Sequence, residues 1–184
     1  VDRTAIPRAG VAWLLARVRP ARHGLMVLSP VDMVLHAMTH LFASSEPEDS
    51  MRELVDIASL LRHFEQREPG FWDDFSPRAR ELDLALPAFY ALRYGQRLLQ
   101  LQVPAQVIAL LEESAPSAAA LRAMDWCVPR ALLAQHPDEP DASGSIARTV
   151  LLARAHWIRM PPLLLGRHLA RKSLVRWRAR SGGA

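Results

Sequence analysis

LSPVDMVLHAMTHLFASSEPEDSMRELVDIASLLRHF, residues 28–64, holds two helix signals in succession. Ser29-Pro30 supplies a capping hydroxyl and a proline at the first helical position, where no amide hydrogen is needed. In the run that follows, Val31, Val34, Leu35, Met38, Leu41 and Phe42 fall on one apolar stripe, while Asp32, His36 and His40 form a row on another face. Ser50-x-x-Glu53 then reads as a capping box opening a second helix. There Leu54, Val55, Ile57, Ala58, Leu61 and Phe64 form a broad buried side, against a narrow polar side of Arg52, Asp56, Ser59 and His63.

The same logic extends outward. Gly70 precedes FWDDFSPRARELDL, with Phe71, Phe75, Ala79 and Leu82 at helical spacing. Pro87 opens AFYALRYGQRLLQL, Pro104 opens AQVIALLEE, and Ser117 starts AAALRAMDWCVPRALLAQ, which Pro129 is expected to kink. HPDEPDASGS, residues 136–145, reads as a linker, followed by helices over Ile146–Met160 and from Pro162 to about Arg180. No alternating pattern follows Pro7. The expectation is an all-α bundle of seven to eight helices, with Val1–Ile6 a candidate remnant strand. On this reading residues 1–27 are a remnant or linker from a preceding domain. Residues 28–184 are the helical domain, with a basic arm from residue 146.

Half of the 184 residues are hydrophobic and 23% are charged, the balance of a globular chain with a sizeable core. The single cysteine, Cys127, allows no internal disulfide and fits a reducing, cytoplasmic setting. No stretch is long and apolar enough to span a bilayer, and no secretory signal is evident. Of the 23 basic residues all but Lys172 are arginine, and their placement is uneven. Residues 1–141 carry 14 arginines against all 19 acids, a net −5, whereas residues 142–184 carry +9 with no acid. The high isoelectric point therefore describes an arm and not a uniformly basic coat.

His36 and His40 could both reach one metal ion, with Asp56 completing a site. The glutamate of zinc proteases is missing, however, since Ala37 stands in its place. A polar face with Asp56 paired to Arg52 explains the same residues without a metal, and no metal site is assigned. Cys127 lies among apolar neighbours as a core residue, and the five tryptophans read as packing residues. No phosphate-binding loop, dinucleotide fingerprint or nucleophile elbow is present, so no catalytic residue is assigned.

VLHAMTHLF, an acidic loop and MRELVDIASLLRHF together resemble the helical region of the uncharacterised nucleotidyltransferase family, within the polymerase-β-like superfamily. The family's His-x-x-x-His-Leu-Phe falls on His36, His40, Leu41 and Phe42. Its Leu-Arg-Asp-Leu-Val-Asp falls on Met51 to Asp56, with Met51 and Glu53 as departures. VDRTAIP is similar to a family strand motif with Asp2 in place of a histidine, and FYALRYGQRLL and HWIRMPPLLLGRHLARK extend the likeness over most of the chain.

The resemblance implies nucleotidyl transfer from an NTP, with Mg²⁺ held by an Asp-x-Asp pair after a Gly-Ser turn. No Gly-Ser followed by Asp-x-Asp occurs here, since Gly144-Ser145 lies in the linker with nothing suitable after it, so the chain reads as the helical C-terminal portion, its partner a catalytic palm outside this sequence. Mg²⁺ and NTP are then cofactors of the whole protein and not of this chain. His36, His40, Arg52 and Asp56 become candidates for lining the substrate cleft, with Arg52 a candidate phosphate contact. The alternative is a self-standing helical interaction module whose arginine-rich arm docks an acidic partner; nucleic acid is not the expected one.

Overall fold

A computed structural model of the chain describes residues 16–43, 50–133 and 141–159. Among these, seven α-helices follow a small hairpin. Strands β1 (Arg19–Pro20) and β2 (Met26–Val27) pair antiparallel, Arg19 opposite Val27, around a turn at Arg22–Gly24. His23 and Gly24 take positive φ (61° and 72°) and reverse the chain there. This hairpin is a correction, because no strand was expected after Pro7. Strands of two residues are too short to carry a readable alternation. The candidate strand Val1–Ile6 and the helix expected over Pro162–Arg180 lie outside the described residues.

The helices are α1 (Pro30–Ala43), α2 (Ser50–Arg67), α3 (Phe71–Glu81), α4 (Ala85–Leu99), α5 (Ala105–Glu112), α6 (Ala118–Leu132) and α7 (Ala142–Arg159). Ser29 caps α1 as expected, its Oγ accepting the Asp32 amide at 3.2 Å, and Ser117 caps α6 through the Ala120 amide. The expected capping box at α2 does not form. Ser50 lies inside the helix, and Glu53 reaches across to His40 instead. Helix α4 begins at Ala85, two residues ahead of Pro87, which its first turn accommodates. Pro129 sits within α6, which continues to Leu132.

The expected linker over 136–145 is also corrected, because α7 starts at Ala142. Asp141 caps it, its carboxylate accepting the Ser143 amide at 2.8 Å and the Gly144 amide at 3.1 Å. Those bonds hold its pKa below the usual carboxylate range, the Ser143 hydroxyl contributing most. Ser143 and Gly144 read as loop by composition, but one side-chain cap converts them into a first turn.

Helix α1 lies at the centre, packed against α2, α3, α4 and α7, while α6 and α7 form a close pair. Its stripe Val31, Val34, Leu35, Met38 and Leu41 is buried, with Leu54, Ile57, Ala58 and Leu61 of α2 facing it. Burying side chains of this size stabilises by about 1.5–3 kcal/mol each, which fixes α1 and α2 in register. Val55 is exposed, contrary to its expected place on the buried side of α2. Phe71, Phe75, Ala79 and Leu82 are buried as their spacing required, and Cys127 is a core residue whose thiol pKa burial raises. At the end of α4, Gln100 takes a positive φ and Leu101 folds back on Gly95, where an added Cβ would come within 3.1 Å of its Cδ2.

Candidate functional site

Asp32, His36 and His40 stand in one row by spacing, but their surroundings split them. Asp32 is fully buried, whereas His36 and His40 are exposed. Arg78 of α3, also buried, clamps Asp32 in a fork, with Nε donating to Oδ1 at 2.7 Å and Nη2 to Oδ2 at 3.0 Å. Its Nη1 donates to Glu81 at 2.8 Å. Hydrogen bonding to Asp32 pushes the guanidinium pKa up despite its burial. The sequence reading put Asp32 on a polar face because its partner lies 46 residues away and no local spacing announces it.

What remains on the outer side is a ridge of exposed groups. His40 of α1 sits with Nδ1 3.3 Å from Glu53 Oε1, joining the end of α1 to the start of α2. Arg52 and Asp56 are exposed on α2, and no ion pair joins them to each other or to another described residue. The i, i+4 pair expected between them is thus not formed. Asp56 lines a shallow groove of about 470 Å³ along α2 together with Ser59, Leu60, His63 and Phe64. Of the four cleft candidates Asp56 alone lines this groove, while His40 comes to α2 through Glu53. His63, within the stretch but not among those candidates, lines the groove and lies 3.4 Å from Arg67 Nη1. Among the described residues no three His, Cys, Asp or Glu side chains gather as a metal set.

Two further charged clusters escaped the sequence reading. Asp125 of α6 accepts from Arg93 at 2.9 and 2.7 Å and from Tyr94 at 3.2 Å, and forms an ion pair with Arg97 at 2.7 Å. Arg93 holds the Asp125 pKa below the usual range, and burial followed by the Asp125 charge raises that of Tyr94. Arg154 of α7 lies over the Tyr90 ring at 5.5 Å and donates to the Phe42 carbonyl at 3.3 Å. Burial lowers its pKa. These contacts bind α6 and α7 to α4 and α1, and they spend one arginine of the basic arm on internal packing. Trp126 and Trp157 are exposed and are not the packing residues expected, although Arg130 stacks on Trp126 at 4.7 Å.

The arrangement offers no preformed metal cage among the described residues. It offers an exposed strip of imidazole, guanidinium and carboxylate groups on two helices whose other sides are locked into the core. Comparison with known families finds one described as uncharacterised nucleotidyltransferase, whose model matches residues 3–100. That span takes in the hairpin, α1 to α4 and the whole ridge, and it stops short of HWIRMPPLLLGRHLARK. No curated protein and no solved structure matches the chain.

Proposed function

The chain belongs to the uncharacterised nucleotidyltransferase family, and from that membership we propose that it is the helical portion of an enzyme that transfers a nucleotidyl group from an NTP. The observation that carries this reading is the ridge within the matched span. His36, His40, Arg52 and Asp56 are exposed, and Arg52 and Asp56 have no ion-pair partner among the described residues. Such groups on rigid helices suit a cleft wall. Arg52 suits phosphate oxygens by its charge and planar geometry, and on this reading the histidines and Asp56 orient nucleotide or acceptor.

Mg²⁺ and the NTP belong on this reading to a catalytic unit carrying a Gly-Ser turn followed by an Asp-x-Asp pair, a succession that does not occur in this sequence. The metal would neutralise charge on the transferring phosphate; the helices would position what it acts upon. The test compares residues 1–184 with a protein in which that unit is present, supplying labelled NTP and Mg²⁺. The reading expects pyrophosphate release from the latter only. Transfer by residues 1–184 alone would overturn it.

A second reading, an interaction module for an acidic partner, draws on the other end of the sequence. Ile146, Val150, Leu152 and Trp157 of α7 are exposed within the arginine-rich arm that begins at residue 146. Binding through that arm should weaken steeply with salt and disappear when residues 146–184 are deleted. The cleft reading expects substitutions on the ridge to matter more than the arm.

A further inference from the structure

The segment from Ala16 to Leu28 meets the helices through charge. Arg17 Nη1 donates to both oxygens of Asp74, at 3.1 and 2.8 Å, and Arg17 Nη2 lies 3.9 Å from Glu81 Oε2. Arg19 Nη1 donates to Glu68 Oε2 at 2.8 Å. Its apolar side chains add little to that attachment, Val18 and Leu28 being half-buried. Leu25 and Met26 are 64% and 58% exposed, Val27 is also exposed, and neither Val18 nor Leu28 packs against the core.

A cleft of about 80 Å³ lies between the segment and the body, lined by Arg19 and by Glu68, Gly70, Phe71 and Asp74 of the α2–α3 junction. That is space for a few waters beside the ion pairs, where solvent and salt weaken them. Within itself the segment is coherent, with a β1–β2 ladder and the Ala21 amide donating to the Leu25 carbonyl at 2.7 Å. It ends where buried Ser29 caps α1, a firm point to pivot on.

We propose that residues 16–28 form an ionic strap. Arg17 and Arg19 latch a self-contained hairpin onto α2 and α3, and loss of their charge frees it with its Leu25-Met26-Val27 face while α1 to α4 stay folded. Two properties make the segment a latch. Its holding energy is electrostatic, and each holding pair is at the surface, so that ionic strength or an acidic or basic competitor can shift it. Its use rests on the proposed function. The strap leads into α1 and is latched at Glu68 beside the end of α2, the two helices that carry the ridge, so its state changes what stands against them.

Hydrogen exchange on the full chain tests the latch without any nucleotide, so a failed transfer assay leaves its outcome untouched. Amides of residues 19–27 are followed in wild type at low and at about 0.5 M NaCl, where screening is several-fold shorter-ranged. The same amides are followed in the Arg17→Gln/Arg19→Gln variant and, from the other side, in Glu68→Gln/Asp74→Asn. Both variants should exchange about ten-fold faster in the strap, high salt should move wild type the same way, and amides of α1 to α4 should hold within about two-fold. Strap protection unchanged in both variants would overturn the proposal. So would loss of protection spreading through α1 to α4, since the segment would then be part of the folded core.

Discussion

On α1, Asp32 and His36 stand one turn apart and have opposite fates. Asp32 is sealed in the interior and forked by Arg78, whereas His36 is exposed, as Arg52 and Asp56 of α2 are. The charges drawn into the helix packing have partners: buried Asp32 has Arg78, half-buried Asp125 has Arg93, Arg97 and Tyr94, and Arg154 has the Tyr90 ring and Phe42 carbonyl. Those groups hold helices together. The ridge residues Arg52 and Asp56 hold nothing together among the described residues, so the fold does not account for their charge. The two regions should therefore answer mutation in opposite ways, one through stability and the other through activity.

The largest effect is expected at Arg78. Arg78→Ala leaves a carboxylate buried without its partner and should cost about 3–5 kcal/mol in urea unfolding. A loss below about 1 kcal/mol would mean that the interior tolerates Asp32 unpaired, and the contrast with the ridge would lapse.

Asp125→Ala comes next. It removes charge-assisted bonds linking α6 to α4 and should cost about 2 kcal/mol. The carboxylate's folded pKa is depressed, so its stabilisation is present above the unfolded aspartate value of about 3.9 and is lost as pH falls through the lowered folded value. The variant should accordingly show a shallower loss of stability across that acid range than wild type. An unchanged acid profile would show that Asp125 does not drive it.

Arg154→Met keeps much of the apolar stem while removing the contact with the Tyr90 ring and the bond to Phe42. It should cost about 1 kcal/mol, read as a small shift in thermal midpoint. No shift would mean that α7 is held by its packing on α6 alone.

Sequence made much of this legible, and its limits have physical causes. Periodicity located α1, α2 and α3 because their core residues recur at helical spacing, and Ser29 and Ser117 were readable as caps because that chemistry is local. Asp32 was misplaced because its charge suggests solvent unless Arg78 is known to approach from another helix. The hairpin was hidden by its brevity, and the start of α7 by the loop-like composition that Asp141 overrides. For the candidate site, the residue types and the helix faces of Arg52 and Asp56 were readable. That they would lack an ion pair, and that Glu53 would turn to His40, depended on side-chain directions no spacing rule supplies.

The smallest stability effect belongs to the ridge, where surface substitutions should stay within about 0.5 kcal/mol of wild type. The central claim is that this ridge serves nucleotidyl transfer and not folding, and kcat/KM of Arg52→Ala in a protein that carries the proposed catalytic unit tests it most directly. Measured with NTP and Mg²⁺ at a temperature where both proteins are folded, it should fall at least about ten-fold, a loss of roughly 1.4 kcal/mol in transition-state stabilisation. Wild-type turnover in Arg52→Ala would contradict the claim and return the ridge to an ordinary solvated face.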